Sequence, residues 1–203
     1  MSKSSGGIGS HGGLNPGDGN YKGSVRNVES LKNIKQRQVY NEVGSAISRY
    51  HAVLGVRQRE IKLADLSKGT LGVHVTSDGK SEGIYLNKKY FNQTKRDIVK
   101  STMEGYKSGW HTKTNKPMAH TVTHELAHAT WNSHFTGEKY KRAGQEIKTL
   151  SARWLRDRKK TGYGKYASTN LDEFWAETVT KAVHGKSDYY TNAVKKIIKR
   201  YKL

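Results

Sequence analysis

Residues 124–128 read HELAH, which fits the pattern H-E-x-x-H. In a helix, residues four apart lie on the same face, so His124 and His128 can bind one metal ion together. Histidine pairs at this spacing are typical zinc ligands, and Glu125 lies beside them, where it can accept a proton from zinc-bound water. The motif therefore predicts that zinc-bound water attacks a carbonyl carbon, with Glu125 taking the proton of that water as general base and passing it to the leaving nitrogen as general acid.

A catalytic zinc ion needs a third protein ligand, and His134 is the nearest candidate. It stands where the pattern H-E-x-x-H-x-x-G-x-x-H has its third histidine, but Trp131 replaces the glycine that lets the chain turn back toward the metal. All three methionines also lie upstream of HELAH, whereas the metzincin pattern has one downstream. His134 stays as third ligand only in the alternative that the chain resembles SprT-like proteases, which act on DNA-bound proteins.

The second candidate lies in residues 166–177, which read YASTNLDEFWAE. Glu173 and Glu177 are four apart and share a helical face, and Asn170 or Asp172 can cap the start of that helix. The aromatic residues between the two glutamates predict that the helix is partly buried, and a buried carboxylate needs a cation. We therefore predict that Glu173 is the third zinc ligand and that Glu177 accepts the free ring N–H of a ligand histidine.

HELAH followed by Y-x-x-T-N-x-x-E-F-x-A-E resembles the gluzincin-type catalytic domain of anthrax lethal factor. It is also similar to the related metallopeptidase domains of bacterial polymorphic toxins and phage head-associated proteins. The resemblance covers about residues 118–183 and implies a zinc metallopeptidase that cleaves a protein or peptide substrate. The resemblance implies that one zinc ion is bound by His124, His128 and Glu173. It also implies that Glu125 is the general base, that Glu177 supports a ligand histidine, and that Tyr166 stabilises the oxyanion.

Hydrophobic periodicity predicts the elements that hold these residues. The predicted helices cover residues 34–54, 94–106, 117–131, 139–158 and 171–183, and a last helix begins after Ser187-Asp188. The predicted strands lie in REIKLADL, GTLGVHVTSD and GIYLN, and we interpret GIYLN either as a core strand or as an edge strand that binds an extended peptide. The order predicts an α+β, zincin-like fold, in which a small mixed or antiparallel sheet packs on helices and HELAH lies on a central helix. His120, one turn before His124, is interpreted as a capping and packing residue, with a place beside the site as the alternative.

The composition narrows the class of protein. The chain has 203 residues and no cysteine, which excludes disulfides, thiolate metal sites and a cysteine nucleophile. Its 37 Lys and Arg residues against 17 Asp and Glu give a net charge of +20, which predicts attraction to an acidic partner such as nucleic acid. The charge supports a second hypothesis: a basic nucleic-acid-associated or virion structural protein whose zinc site is vestigial.

Residues 1–24 are rich in glycine and serine and lack hydrophobic periodicity, which predicts a flexible arm before a metallopeptidase domain at 25–203. The arm has no apolar stretch of the kind found in secretory signals, and no apolar run in the chain approaches the length of a membrane span. We therefore expect synthesis in the cytoplasm, followed in a phage or toxin setting by packaging into a virion or delivery to a target cell.

Overall fold

The computed structural model describes residues 10–12, 25–56, 59–77, 80–132 and 138–203. Strands and helices are both present in these ranges and confirm the predicted α+β class. The strands are β1 (Ser10–Gly12), β2 (Arg26–Ser30), β3 (Ile61–Asp65), β4 (Thr70–Ser77) and β5 (Lys80–Asn87). The helices are α1 (Arg37–Leu54), α2 (Lys88–Phe91), α3 (Lys95–Lys107), α4 (His120–Asn132), α5 (Glu138–Thr161), α6 (Leu171–His184) and α7 (Tyr189–Tyr201).

The strands form one mixed sheet in the order β1-β4-β5-β3-β2. Strand β4 is antiparallel to β5, β3 is parallel to β5, and the edges are β1 and β2. GIYLN lies in β5, which pairs on both sides, so its interpretation as a core strand is confirmed and its interpretation as an edge strand is wrong. Ser10–Gly12 form β1 within the segment for which we predicted a flexible arm, and the rest of residues 1–24 lies outside the described ranges.

Helix α1 shows how the hydrophobic pattern is used. Its buried side chains recur at helical spacing and pack against the core, and Gly55 ends the helix with a φ of 64° that glycine adopts readily. The hydroxyl of Tyr50 donates to the carbonyl oxygen of Leu126 at 3.1 Å and also contacts Thr130. Helix α1 is thereby joined to the middle of α4.

Helix α4 carries the HELAH motif through the centre of the molecule. Every residue from Met118 to Trp131 is buried, because α4 lies between the sheet on one side and helices α1 and α6 on the other. A helix buried all round normally has apolar side chains throughout. The polar residues of HELAH are therefore costly to bury unless they are paired with one another or with an ion.

Helices α4 and α6 are held together by Trp175. Its indole N–H donates to the carbonyl oxygen of Ala127 at 2.8 Å, and its ring lies 5.3 Å from the ring of Trp131. This contact sets the first turns of α6 against the middle of α4, so that Glu173 and Glu177 face the HELAH histidines. None of the helices in the described ranges is long and apolar enough to cross a membrane.

Candidate metal centre

Three side-chain atoms converge between α4 and α6. The Nε2 atoms of His124 and His128 are 3.0 Å apart, and Glu173 Oε2 lies 3.0 Å from the first and 3.5 Å from the second. Ligands bound at about 2.0–2.1 Å to a tetrahedral zinc are themselves about 3.3 Å apart. The three residues therefore fit a zinc ion by donor type and by spacing.

The charges of this group also fit a cation. His124 and His128 are fully buried and Glu173 is 2% exposed. Burial opposes ionisation of Glu173, but the adjacent histidines outweigh it and hold the pKa of its carboxyl below the ordinary value. Burial lowers the pKa of His128 and favours its neutral form. At His124, burial is outweighed by Glu173 and Glu177, which raise its pKa to about 10, so His124 must give up a proton to bind a metal ion. An ionised carboxylate and a neutral imidazole are the forms in which these side chains donate lone pairs to a metal.

Glu125 lies beside the three converging atoms and faces the sheet. Burial, followed by the charge of Glu173, raises the pKa of its carboxyl to about 8. Its side chain packs on Gly72 in β4, where a Cβ atom would stand 2.7 Å from Glu125 Cγ. Sequence reasoning missed Gly72, although a lone glycine within the strand pattern GTLGVHV is a known sign of close approach by another group.

Glu177 supports His124 from the opposite side. Its Oε1 atom lies 3.2 Å from His124 Nδ1, and its Oε2 atom accepts the backbone N–H of Thr112 at 2.6 Å. A ring N–H held by this carboxylate leaves the Nε2 lone pair of His124 directed at the converging atoms. The position is the one that we predicted for Glu177 from its spacing to Glu173.

His120 shares Glu177 with His124. Its Nε2 atom lies 3.1 Å from Glu177 Oε1, and its Nδ1 atom is 3.3 Å from the hydroxyl of Tyr106. The Nδ1 atom of His111 lies 3.9 Å from the same Glu177 oxygen. Our interpretation of His120 as a capping and packing residue was therefore incomplete: its ring is buried, but it also bonds to the carboxylate that orients His124. Its place one turn before His124 was the only signal available in the sequence.

His111, His120 and Glu177 also have donor atoms within 4.8 Å of one another. Their geometry differs from that of the first group, because Glu177 already accepts hydrogen bonds from His120 and the backbone of Thr112 and its Oε1 atom lies 3.2 Å from His124 Nδ1. A fully buried carboxylate with three donors around it is satisfied without an ion. We therefore assign this group to the support of His124.

Tyr166 faces the converging atoms from the loop before α6. Its ring stacks on that of His124 at 5.7 Å and on that of Trp110 at 5.3 Å, and its backbone N–H donates to the carbonyl oxygen of Trp110. Burial, followed by the charges of Glu173 and Glu125, raises its pKa well above the ordinary value. The phenol therefore stays protonated and is able to donate a hydrogen bond.

The loop of Tyr166 is set by close backbone packing. A Cβ atom at Gly164 would stand 2.3 Å from the carbonyl oxygen of Trp110, so this position accepts only glycine. Helix α6 then begins after Asn170, whose side chain accepts the backbone N–H of Glu173 at 2.9 Å. Of the two predicted capping residues, Asn170 rather than Asp172 caps the helix, and it fixes the first turn, which carries Glu173.

His134, the alternative third ligand, lies outside the described residues. Helix α4 continues through Trp131 to Asn132, so the chain does not turn at the position where a metzincin has its glycine. The residues brought together by the structure are His124, Glu125, His128, Tyr166, Glu173 and Glu177, which are the six site residues named from the sequence. Comparison of the chain with protein-family models, with curated proteins and with solved structures finds no match.

Proposed function

We propose that the protein is a zinc-dependent metalloendopeptidase that hydrolyses a peptide bond in a protein substrate. The observation that carries the proposal is the convergence of His124 Nε2, His128 Nε2 and Glu173 Oε2 beside the buried carboxyl of Glu125. The resemblance of HELAH and Y-x-x-T-N-x-x-E-F-x-A-E to lethal-factor-like gluzincins supports a peptide bond as the target.

His124, His128 and Glu173 would hold the zinc ion. When bound, zinc acts as a Lewis acid and lowers the pKa of a coordinated water from its bulk value toward about 7. Glu177 orients the ring of His124 by accepting its Nδ1–H, and the indole of Trp175 keeps the helix of Glu173 against the helix of the histidines.

Glu125 carries the proton transfers. Burial raises its pKa to about 8, close enough to neutral pH for the ionised carboxylate to take a proton from water and for the protonated carboxyl to give it to the leaving amine nitrogen. Gly72 leaves room for this carboxylate between α4 and β4. Tyr166 is protonated and directed toward the same space, so its hydroxyl can donate to the oxygen that gains negative charge during attack.

The decisive experiment measures bound zinc and peptidase activity in three variants. We expect about one zinc ion per chain in the wild type, loss of zinc in Glu173→Ala, and retention of zinc without hydrolysis in Glu125→Gln. The His134→Ala variant is the matched test of the SprT-like alternative, and we expect it to keep both zinc and activity. Zinc loss in His134→Ala but not in Glu173→Ala would assign the chain to that alternative.

Screens with mixed peptide libraries distinguish an active peptidase from a structural protein with a vestigial zinc site. Cleavage that depends on Glu125 supports the proposal. A zinc-bound wild type that cleaves no peptide or protein, and a Glu125→Gln variant that behaves identically in every assay, would leave the structural-protein hypothesis as the better one.

A further inference from the structure

The positive charge of the chain is concentrated on two neighbouring helices. Helix α5 carries nine basic and three acidic residues, and helix α7 carries four basic and no acidic residues. These two helices therefore account for ten of the twenty net positive charges of the chain. They pack against each other and enclose a groove with a volume of about 590 Å³.

The charges in this groove are mostly unbalanced. Its one carboxylate, Glu146, accepts two hydrogen bonds from Arg200 at 2.8 and 2.9 Å and a third from the hydroxyl of Tyr201. Among the residues that the structure describes, no carboxylate forms an ion pair with Arg142, Arg153 or Lys196, which also line the groove. Three cations at one concave surface favour an extended anionic partner.

Tyr189 adds an aromatic surface at the same place. The residue is 55% exposed. The guanidinium of Arg153 lies 4.3 Å from the centre of its ring and donates to its hydroxyl at 2.9 Å, while the ring of Tyr190 packs at right angles to it. The ring is thus held in place although the residue as a whole is largely exposed.

We propose that the α5–α7 groove, lined by Arg142, Arg153, Tyr189 and Lys196, binds single-stranded nucleic acid. The three cations contact consecutive phosphates, and an unpaired base stacks on the face of Tyr189 that the guanidinium of Arg153 does not cover. Basic grooves with a fixed aromatic ring are the common means of binding single strands without sequence preference, because every base has a stacking face. A lipid surface or an acidic protein would use the cations but would gain little from the ring. The proposal is independent of the zinc site.

The test compares two variants that change the charge equally. The groove variant combines Arg142→Gln, Arg153→Gln and Lys196→Gln, and the control combines Arg96→Gln, Lys100→Gln and Lys107→Gln on the exposed side of α3. Both variants are made in the full chain with zinc present. The probe is a fluorescent oligothymidine of about 20 nucleotides, titrated from about 50 to 200 mM NaCl. Circular dichroism melting checks that both variants are folded.

We expect the groove variant to bind the oligonucleotide at least about tenfold more weakly than the wild type. The slope of log K against log salt should decrease in magnitude by about 2, because each of the three lost phosphate contacts contributes about 0.7. We expect the control variant to change affinity less than about threefold. Tyr189→Ser should lower affinity about tenfold with an unchanged salt slope, because it removes stacking and no charge.

Three results would overturn the proposal. Equal losses in the groove and control variants would mean that net charge alone attracts the oligonucleotide. Groove-dependent binding to phosphatidylserine vesicles without binding to oligothymidine would identify a membrane surface instead. Polyglutamate that competes as well as oligothymidine, with no effect of Tyr189→Ser, would identify an acidic protein as the partner.

Discussion

Glu125 combines complete burial with a pKa of about 8, and it lies beside the three candidate zinc ligands. A glutamine has nearly the same shape but cannot carry a proton between water and a leaving group. We therefore expect Glu125→Gln to lower kcat about 10²- to 10⁴-fold while zinc content is unchanged. Steady-state kinetics and metal analysis of the same preparation check this. Zinc loss in Glu125→Gln would show that the carboxylate is a ligand instead.

Glu177 accepts hydrogen bonds from His120 and from one backbone N–H and lies 3.2 Å from His124 Nδ1, and an amide has only one oxygen with which to do the same. In Glu177→Gln the new NH₂ group must face either the Thr112 N–H or the ring nitrogens of His120 and His124. We expect zinc affinity to fall about 10- to 100-fold, as is typical when the partner of a ligand histidine is lost. Competition with a coloured chelator measures it, and Glu104→Gln on the exposed face of α3 is the control. Equal zinc affinities in wild type and Glu177→Gln would contradict the role given to this carboxylate.

The contact between β4 and α4 determines where the Glu125 carboxylate can be. An alanine Cβ at Gly72 would stand 2.7 Å from Glu125 Cγ, closer than side chains approach, so Glu125 or the strand must shift. We expect Gly72→Ala to lower kcat by at least about tenfold while the zinc content stays the same, since small misplacements of a catalytic group are costly. Gly44→Ala in α1 is the matched control, because nothing lies within 4 Å of its Cβ position and alanine favours a helix. Full activity in Gly72→Ala would mean that this packing has no bearing on Glu125.

Most elements could be predicted from the sequence because their own residues specify them. The hydrophobic face of α1, its glycine stop and the Asn170 and Asp188 caps are local signals, and all of them appear in the structure. Strands β1 and β2 have no such signal. Ser10–Gly12 is short and glycine-containing, and β2 has mostly exposed side chains, so both are strands only because β4 and β3 pair with them.

The residues of the candidate site also fall into two sets: those that a local sequence pattern identifies and those that only the three-dimensional contacts identify. The spacing within HELAH and between Glu173 and Glu177 is a helical period, so these residues were found from the sequence. Thr112 reaches the site through a contact between separate elements, and the local signals for Gly72 and His120 do not show that they meet Glu125 and Glu177. The three-dimensional arrangement of the sheet and of the loop before α4 was needed to identify them.

At the scale of the whole molecule, the candidate zinc site lies in the centre of the hydrophobic core. Helix α4 packs on the sheet and on α1 and α6, so a metal bound there would join the main layers of the fold. Removing it would leave the carboxylate of Glu173 buried beside two histidines without the balancing charge of the ion. Metal binding and folding are therefore expected to be coupled.

This coupling gives a last prediction. A ligand that binds only the folded chain, at a concentration about 1,000 times its Kd, adds about 4 kcal/mol to the free energy of unfolding. For a chain of this size, each kcal/mol raises Tm by roughly 2–4 °C, so chelation should lower Tm by about 8–16 °C. Calorimetry with and without a chelator measures the shift, and added zinc should reverse it. The same treatment should leave the Tm of Glu173→Ala unchanged, because that variant has already lost its metal; an equal shift in both proteins would mean that the chelator acts elsewhere.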